Sequence, residues 1–396
     1  DDGLPLGYTD YYVEVDNNNG FGSPERVRGW NTSSSWSLKV PADGTWYWRV
    51  MQGDGQGSSE WSTARFKVDS TLPSKPTNLR HTCGQWYEEG NNRYTKTSKP
   101  CFAWNASSDT GSGLKGYYAA IGDSTPDGGP ANTNDRWVGN QTSWNNLPRN
   151  VNEGQRFFAV RAEDNAGNRS NTAKYYFTVD TTPPTNPASI HAGCTDQNNL
   201  WQNSCYDPAF TWSGASDGGG SGVKDYHYYW GTSEYGAPDT RTTDTGFDPG
   251  PVTTPDGCAV YFLNMATRDN LLQERVSGPA FVLRYDGTPP TGTSVAIDGG
   301  ADTTNQVSVR LEITGSDDCS GVAEMRISGN SIHWTDWLPY EETMLWYLPA
   351  LNRRWLPVYV QVRDAAGNES DVVQDTIYLE LYPEKPHSEN YRLCAD

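Results

Sequence analysis

The sequence predicts an all-β chain of β-sandwich domains joined in tandem, and three observations carry that expectation. The first is composition: 40 Gly, 25 Pro, 23 Tyr and 16 Trp, with no sustained apolar period of 3.6 residues, describe short strands joined by turns. The second is length, since 396 residues exceed one sandwich-sized core and suggest roughly two to four domains of ~100 to 200 residues. The third is that the chain repeats itself.

Two phrases recur, roughly a sandwich domain apart. One is "FFAVRAEDNAGNRS", which returns as "VYFLNMATRDNLLQERVS" and "VYVQVRDAAGNES". The other precedes it: "FAWNASSDTGSGLKGYY", "FTWSGASDGGGSGVKDYHYY" and "LEITGSDDCSGVAEMRI". Each of the latter is strand, acidic Gly/Ser loop, strand. Phe158, Val160 and Ala162, and their counterparts Val358, Val360 and Val362, alternate with the period of two that turns one strand face into a core. Trp104 and Trp212, also on alternating strands, are expected in cores.

Boundaries fall at "VDSTLPSKP", "VDTTPPTNP" and "YDGTPPTGT". Proline donates no amide and fixes φ, so each junction ends a strand and stiffens the link, which predicts an elongated, semi-rigid rod. The domains are residues 1–70, 71–181, 182–287 and 288–396, the last with a C-terminal tail. Residues 1–70 carry only the later half of the pattern, with "YYVEVD" as a middle strand. Two opening strands are missing. A half sandwich exposes its core and a row of backbone groups, so the absent strands are expected from upstream residues or from another chain.

These phrases resemble the immunoglobulin-like and fibronectin type III-like modules that occur in tandem on bacterial secreted and cell-surface proteins. The matching residues are the "SDTGSGL" and "SDDCSGV" loops, the "DNAGN" and "DAAGN" turns and the "VDTTPP" linkers. The resemblance implies immunoglobulin-like sandwiches and serves poorly as a guide to function, because such modules act as spacers, adhesins, filament subunits and enzyme accessories. "RDNLLQ" replaces the AGN turn in the third domain and "GDGQGS" stands there in the first, so a site built on that turn is expected to be degraded in both.

In such a sandwich the loop between the second and third strands and the loop between the sixth and seventh lie at the end where the linker enters. That places three acids together at each junction: Asp69 with Asp109 and Asp164, Asp180 with Asp217 and Asp269, and Asp286 with Asp317 and Asp364. A cation bridging linker and loops would lock the angle between neighbours, and calcium accepts such oxygen sets in forgiving geometry. The competing expectation is that each Asp accepts bonds from its own loop backbone.

The net charge of −19 repels nucleic acid and anionic membrane and favours cations. No apolar run approaches the about 18 residues of a membrane span, and no signal peptide opens the sequence, so a soluble chain is expected with any leader or anchor outside it. Cys83 with Cys101, and Cys194 with Cys205, flank polar loops at the same place in successive repeats. Two local disulfides and an extracellular or cell-surface setting follow. Cys258, Cys319 and Cys394 remain unassigned. Asn31, Asn105, Asn140, Asn168 and Asn368 open Asn-x-Ser/Thr triplets, candidate glycan acceptors that also arise by chance in polar loops.

Trp334, Trp337 and Tyr340 are the candidates for stacking on sugars, although a small core needs many of the last domain's rings. Catalysis finds no support: His81, His191, His227, His333 and His387 do not cluster, no nucleophile elbow or phosphate loop is present, and the paired carboxylates sit in repeated turns. The expected function is non-catalytic and structural or adhesive: a surface stalk, surface-layer component or filament subunit that contacts other copies or other surface proteins. The alternative is a carbohydrate-binding or accessory region of a larger secreted polysaccharide-processing protein.

Overall fold

The computed structural model describes residues 10–123 and 136–381. Among the described residues every regular element is a strand, and no helix is long and apolar enough to cross a membrane. The chain divides into two compact units: one runs to Thr182 and includes Gly219–Ser221, and the other comprises the rest from Pro183.

The first unit holds two modules. In the first, β1 (Asp10–Asp16), β2 (Arg26–Asn31), β3 (Gly44–Gly53) and β4 (Ser62–Val68) form one sheet in the order β2-β1-β3-β4. "YYVEVD" is central in it. Among the described residues, no strand of this module lies outside that sheet.

The second module is a complete sandwich built from β5 (Thr77–Cys83), β6 (Trp86–Glu89), β7 (Asn92–Thr95), β8 (Cys101–Asn105), β9 (Leu114–Asp123), β10 (Arg136–Gly139), β11 (Ser143–Trp144), β12 (Gly154–Asp164) and β13 (Ala173–Val179). One sheet runs β10-β9-β12-β13-β7-β6 and the other β11-β8-β5. The alternation of Phe158, Val160 and Ala162 turns all three inward, where they meet Phe102 and Trp104 of the opposite sheet. Phe102 stacks on Phe158 with centroids 4.4 Å apart, and burying such a side chain contributes about 1.5–3 kcal/mol. A disulfide between Cys83 and Cys101 ties β5 to β8.

The second unit repeats the plan twice. Its first module comprises β14 (Ser189–His191), β15 (Trp201–Gln202), β16 (Phe210–Ser213), β17 (Val223–Gly231), β18 (Thr240–Thr242), β19 (Gly246–Phe247), β20 (Cys258–Asp269) and β21 (Glu274–Asp286). Sheets β14-β16-β19 and β15-β21-β20-β17-β18 enclose Phe210, Trp212, Leu263, Met265, Phe281 and Leu283. Cys194 is bonded to Cys205.

Its second module comprises β22 (Thr291–Ile297), β23 (Thr303–Thr304), β24 (Ser308–Ser316), β25 (Val322–Ser328), β26 (Leu338–Pro339), β27 (Thr343–Tyr347), β28 (Arg354–Asp364) and β29 (Val373–Leu379). Sheets β22-β24-β27 and β23-β29-β28-β25-β26 close over Leu311, Ile313, Val358, Val360, Val362 and Ile377. In each complete module, the long strand that ends in the repeated Asp lies at the middle of the larger sheet. The strand pattern therefore delivers that Asp to the same corner each time.

Candidate cation sites at the module junctions

Three chain segments meet at the junction inside the first unit. Asp69 follows β4 in the linker, Asp109 lies in the loop between β8 and β9, and Asp164 is the last residue of β12. One carboxylate oxygen from each lies within 4.8 Å of the others. Asp286, Asp317 and Asp364, from the end of β21, the β24–β25 loop and the end of β28, repeat this at the junction inside the second unit.

Local bonding fixes each acid in the same way. The linker Asp accepts twice: Asp69 takes the Thr71 amide at 3.0 Å and the Ser112 amide at 2.6 Å, and Asp286 takes the Thr288 amide at 2.9 Å and the Ser320 amide at 3.1 Å. The loop Asp receives the amide four residues on, from Gly113 at 2.7 Å for Asp109 and from Gly321 at 2.7 Å for Asp317. The strand-end Asp is held by one asparagine, whose backbone and side-chain nitrogens both donate to it, Asn168 to Asp164 at 2.8 and 2.9 Å and Asn368 to Asp364 at 2.8 and 2.8 Å. That side-chain nitrogen also reaches back to the linker carbonyl, Asp69 O at 2.8 Å and Asp286 O at 2.9 Å.

In the middle set, Asp180 belongs to the first unit and Asp217 and Asp269 to the second. Within its own unit each is held as its counterparts are. Asp180 accepts the Ser221 amide at 2.8 Å, and Asp217 accepts the Gly222 amide at 2.7 Å. Asp269 takes both nitrogens of Gln273 at 2.8 and 2.8 Å. In "RDNLLQ" glutamine replaces asparagine as the double donor, and Leu272 adopts the φ of 62° where Gly167 and Gly367 stand at 96° and 92°. In the first module, Asp54 of "GDGQGS" receives the Gln56 and Gly57 amides.

Charge at the two described trios is unbalanced. Among the described residues no Lys or Arg forms an ion pair with any of the six carboxylates. Hydrogen bonds from Ser112 hold the Asp69 carboxyl below its ordinary range. Burial alone would raise Asp286, but bonds from Ser320 and Thr288 outweigh it and hold that carboxyl low. Asp364 goes the other way: burial pushes it up, and the charge of Asp286 adds to the shift against the bonds from Asn368. Asp109 Oδ1 is buried and lacks a hydrogen-bond partner, so one lone-pair direction there is unsatisfied. The donor set is all oxygen, without His or Cys, which fits a hard cation such as calcium better than zinc.

Cys258 and Cys319, left unassigned by the sequence, are bonded to each other. Cys258 opens β20 and is the register partner of Asp286, and Cys319 sits between Asp317 and Ser320. The disulfide clamps the acidic loop of the last module to the module before it. The signal lay in a register that spacing does not reveal. Cys394 and His387 lie outside the described residues.

Asn31, Asn105 and Asn140 are exposed. Asn168 and Asn368 are partly buried, and the nitrogen a glycan would take is the one that bridges linker and strand. Among the candidate sugar platforms, Tyr340 packs against the last core and donates its hydroxyl to Ile313 O at 3.2 Å. Arg326 lies over Trp334 and Trp337 at 5.1 and 4.6 Å, and Arg363 over Trp337 at 4.3 Å. More open rings in that module are Tyr347, 70% exposed, and Trp355, 59% exposed. The histidines are scattered: His81 bonds the Tyr175 hydroxyl, His191 bonds Asp196 and His227 lies between Asp225 and Glu274.

No family model matches the chain. Exoglucanase B of Cellulomonas fimi is 30% identical over 175 residues, 41% of this chain and 14% of that protein, so the chain spans about a seventh of that relative's length. Among solved structures, the chicken CNTN1 FN1–FN3 domains are 12% identical with a TM-score of 0.27, covering 78% of this chain and 99% of that one. A tetra-tandem repeat in the extending region of a large adhesion protein is 12% identical with a TM-score of 0.29, covering 95% and 93%. The Clostridium thermocellum CbhA fibronectin(III)-like modules are 13% identical with a TM-score of 0.28, covering 51% and 100%. Among the described residues the chain is a series of β-sandwich modules, three of two sheets each, preceded by a module of one four-stranded sheet.

Proposed function

We propose that this chain is a non-catalytic structural or adhesive segment of an extracellular protein, in which calcium at the module junctions holds neighbouring modules in place. The observation that supports this reading is the carboxylate trio of linker, loop and strand end at Asp69, Asp109 and Asp164 and again at Asp286, Asp317 and Asp364, with which no Lys or Arg among the described residues forms an ion pair. Three disulfides support an oxidising, extracytoplasmic setting. A stalk, surface-layer component or filament subunit would use such junctions to fix spacing, with other surface proteins or other copies as partners.

Isothermal titration of chelator-treated protein with calcium tests the reading. Heat of binding is expected, with the contribution of one site lost in Asp109→Asn and of another in Asp317→Asn. Calcium at a hundred times its Kd stabilises by about 2.7 kcal/mol, so the melting temperature should rise on adding calcium and fall with chelator. No heat together with an unchanged melting temperature would overturn it.

The likeness to Exoglucanase B favours a second reading, an accessory region of a longer polysaccharide-processing protein. Co-sedimentation with an insoluble glucan tests it. Protein left wholly in the supernatant would dismiss this reading and leave the first untouched.

A further inference from the structure

Among the described residues no second sheet covers the core face of the first module. Tyr11, Val13 and Val15 of β1, Trp48 and Val50 of β3, and Phe66 and Val68 of β4 line a groove of about 1220 Å³ on one side of the sheet. These are core positions by register. Val15 pairs with Trp48 as Ile121 pairs with Phe158 in the second module, yet Trp48 is 37% exposed where Phe158 is 0%. Val15 is itself buried, but the other side chains stay partly exposed or exposed at positions whose counterparts Tyr117, Ala119, Phe158, Val160, Phe177 and Val179 are buried in the neighbouring module, which makes the face a docking surface.

The segment beside it identifies the missing piece. In the three complete modules, the chain after the hairpin of the larger sheet joins the smaller sheet: β11 pairs with β8, β19 with β16 and β27 with β24. The corresponding stretch of the first module, "SSSWSLKVP" at residues 33–41, has the same strand character. The whole stretch borders the groove, with Trp36, Leu38 and Val40 half-buried and the alternate Ser35, Ser37 and Lys39 exposed. It forms no ladder. Its period-two pattern is that of a strand awaiting a partner.

We infer that this face is completed by a strand pair of the same repeat type, carried by the polypeptide on the N-terminal side of β1. Every other module carries its pair in that position: β5 and β8 precede β9, β14 and β16 precede β17, and β22 and β24 precede β25. A second copy has no such pair to spare, because each of these already covers its own module. The incoming strand pairs antiparallel with residues 33–38 and sets alternate large apolar residues over Trp48 and Val50, as Phe102 and Trp104 do over Phe158. Main-chain pairing supplies the fit and the apolar side chains set the register. This inference does not depend on calcium.

The test extends the full chain at its N-terminus with a copy of residues 71–108. A control extension carries Phe102→Asp and Trp104→Asp within the copy. Hydrogen–deuterium exchange is followed by mass spectrometry over residues 33–43 and 47–51, at concentrations where sedimentation shows a monomer. In the apolar extension, exchange should slow roughly tenfold or more relative to both the control and the unextended chain. Equal exchange in all three would overturn the inference. Protection in the unextended chain that grows with protein concentration would also overturn it, because the occupant would then be a second copy.

Discussion

Asn168 and Asn368 do more than their size suggests, because one side-chain nitrogen serves both a strand-end carboxylate and the carbonyl of the preceding linker. Asn368→Ala leaves both acceptors short of a donor and is expected to cost about 1–3 kcal/mol, read as a lower denaturant midpoint at unchanged slope. Asp225 is a second sensitive residue. Fully buried, it accepts both Arg268 Nε and Nη2 at 2.9 Å and Arg241 Nε at 2.7 Å. Burial alone would raise its pKa, but the two guanidiniums outweigh burial and hold it below the ordinary 3.8. A depressed carboxyl adds stability above its unfolded pKa and loses it as pH falls through the folded value. Acid unfolding of residues 183–396 should therefore steepen below pH 3.8, and Asp225→Asn should lower stability at neutral pH and flatten that acid limb. The repeated acids were legible in the sequence because the motif that carries them recurs. Their donors Ser112 and Ser320 were not, since these bonds span 43 and 34 residues and only the fold closes them.

Among the elements, the disulfides differ in what they constrain. Cys83–Cys101 closes 18 residues inside one small sheet, while Cys258–Cys319 closes 61 residues and joins two modules. Chain entropy puts the first near 3 kcal/mol and the second near 4 kcal/mol. Cys258→Ser with Cys319→Ser should therefore lower unfolding free energy more than Cys83→Ser with Cys101→Ser, a comparison denaturant titration makes directly. On the proposed calcium reading, the double variant should also weaken binding at Asp317 and leave binding at Asp109 unchanged, which titration calorimetry would show. The long strands were legible from their period of two, as Phe158, Val160 and Ala162 illustrate. Two-residue strands such as β11, β19 and β23 were not, because their membership in a sheet depends on a partner strand distant in sequence.

At the scale of the whole molecule, three buried clusters serve three modules, and among the described residues the first module contributes to none of them. Amides of β1 to β4 should accordingly exchange fastest among the long strands and melt at the lowest temperature, with the three complete modules following in separable transitions by calorimetry. The repeats made the module series legible from the sequence. The Cys258–Cys319 link was hidden, since nothing in the spacing says that one module's strand lies beside the next module's loop. The bonds across each described junction have a further consequence. Asn168 and Asn368 reach the module before them through a peptide carbonyl, an atom that every residue possesses. The linker Asp in turn receives a backbone amide of the next loop. A coupling made through main-chain atoms needs no matching side chain beyond its own Asp and Asn. Units of this kind can be duplicated, reordered or recombined into longer arrays with this part of the joint unchanged, whereas the Cys258–Cys319 clamp has to travel with both of its modules.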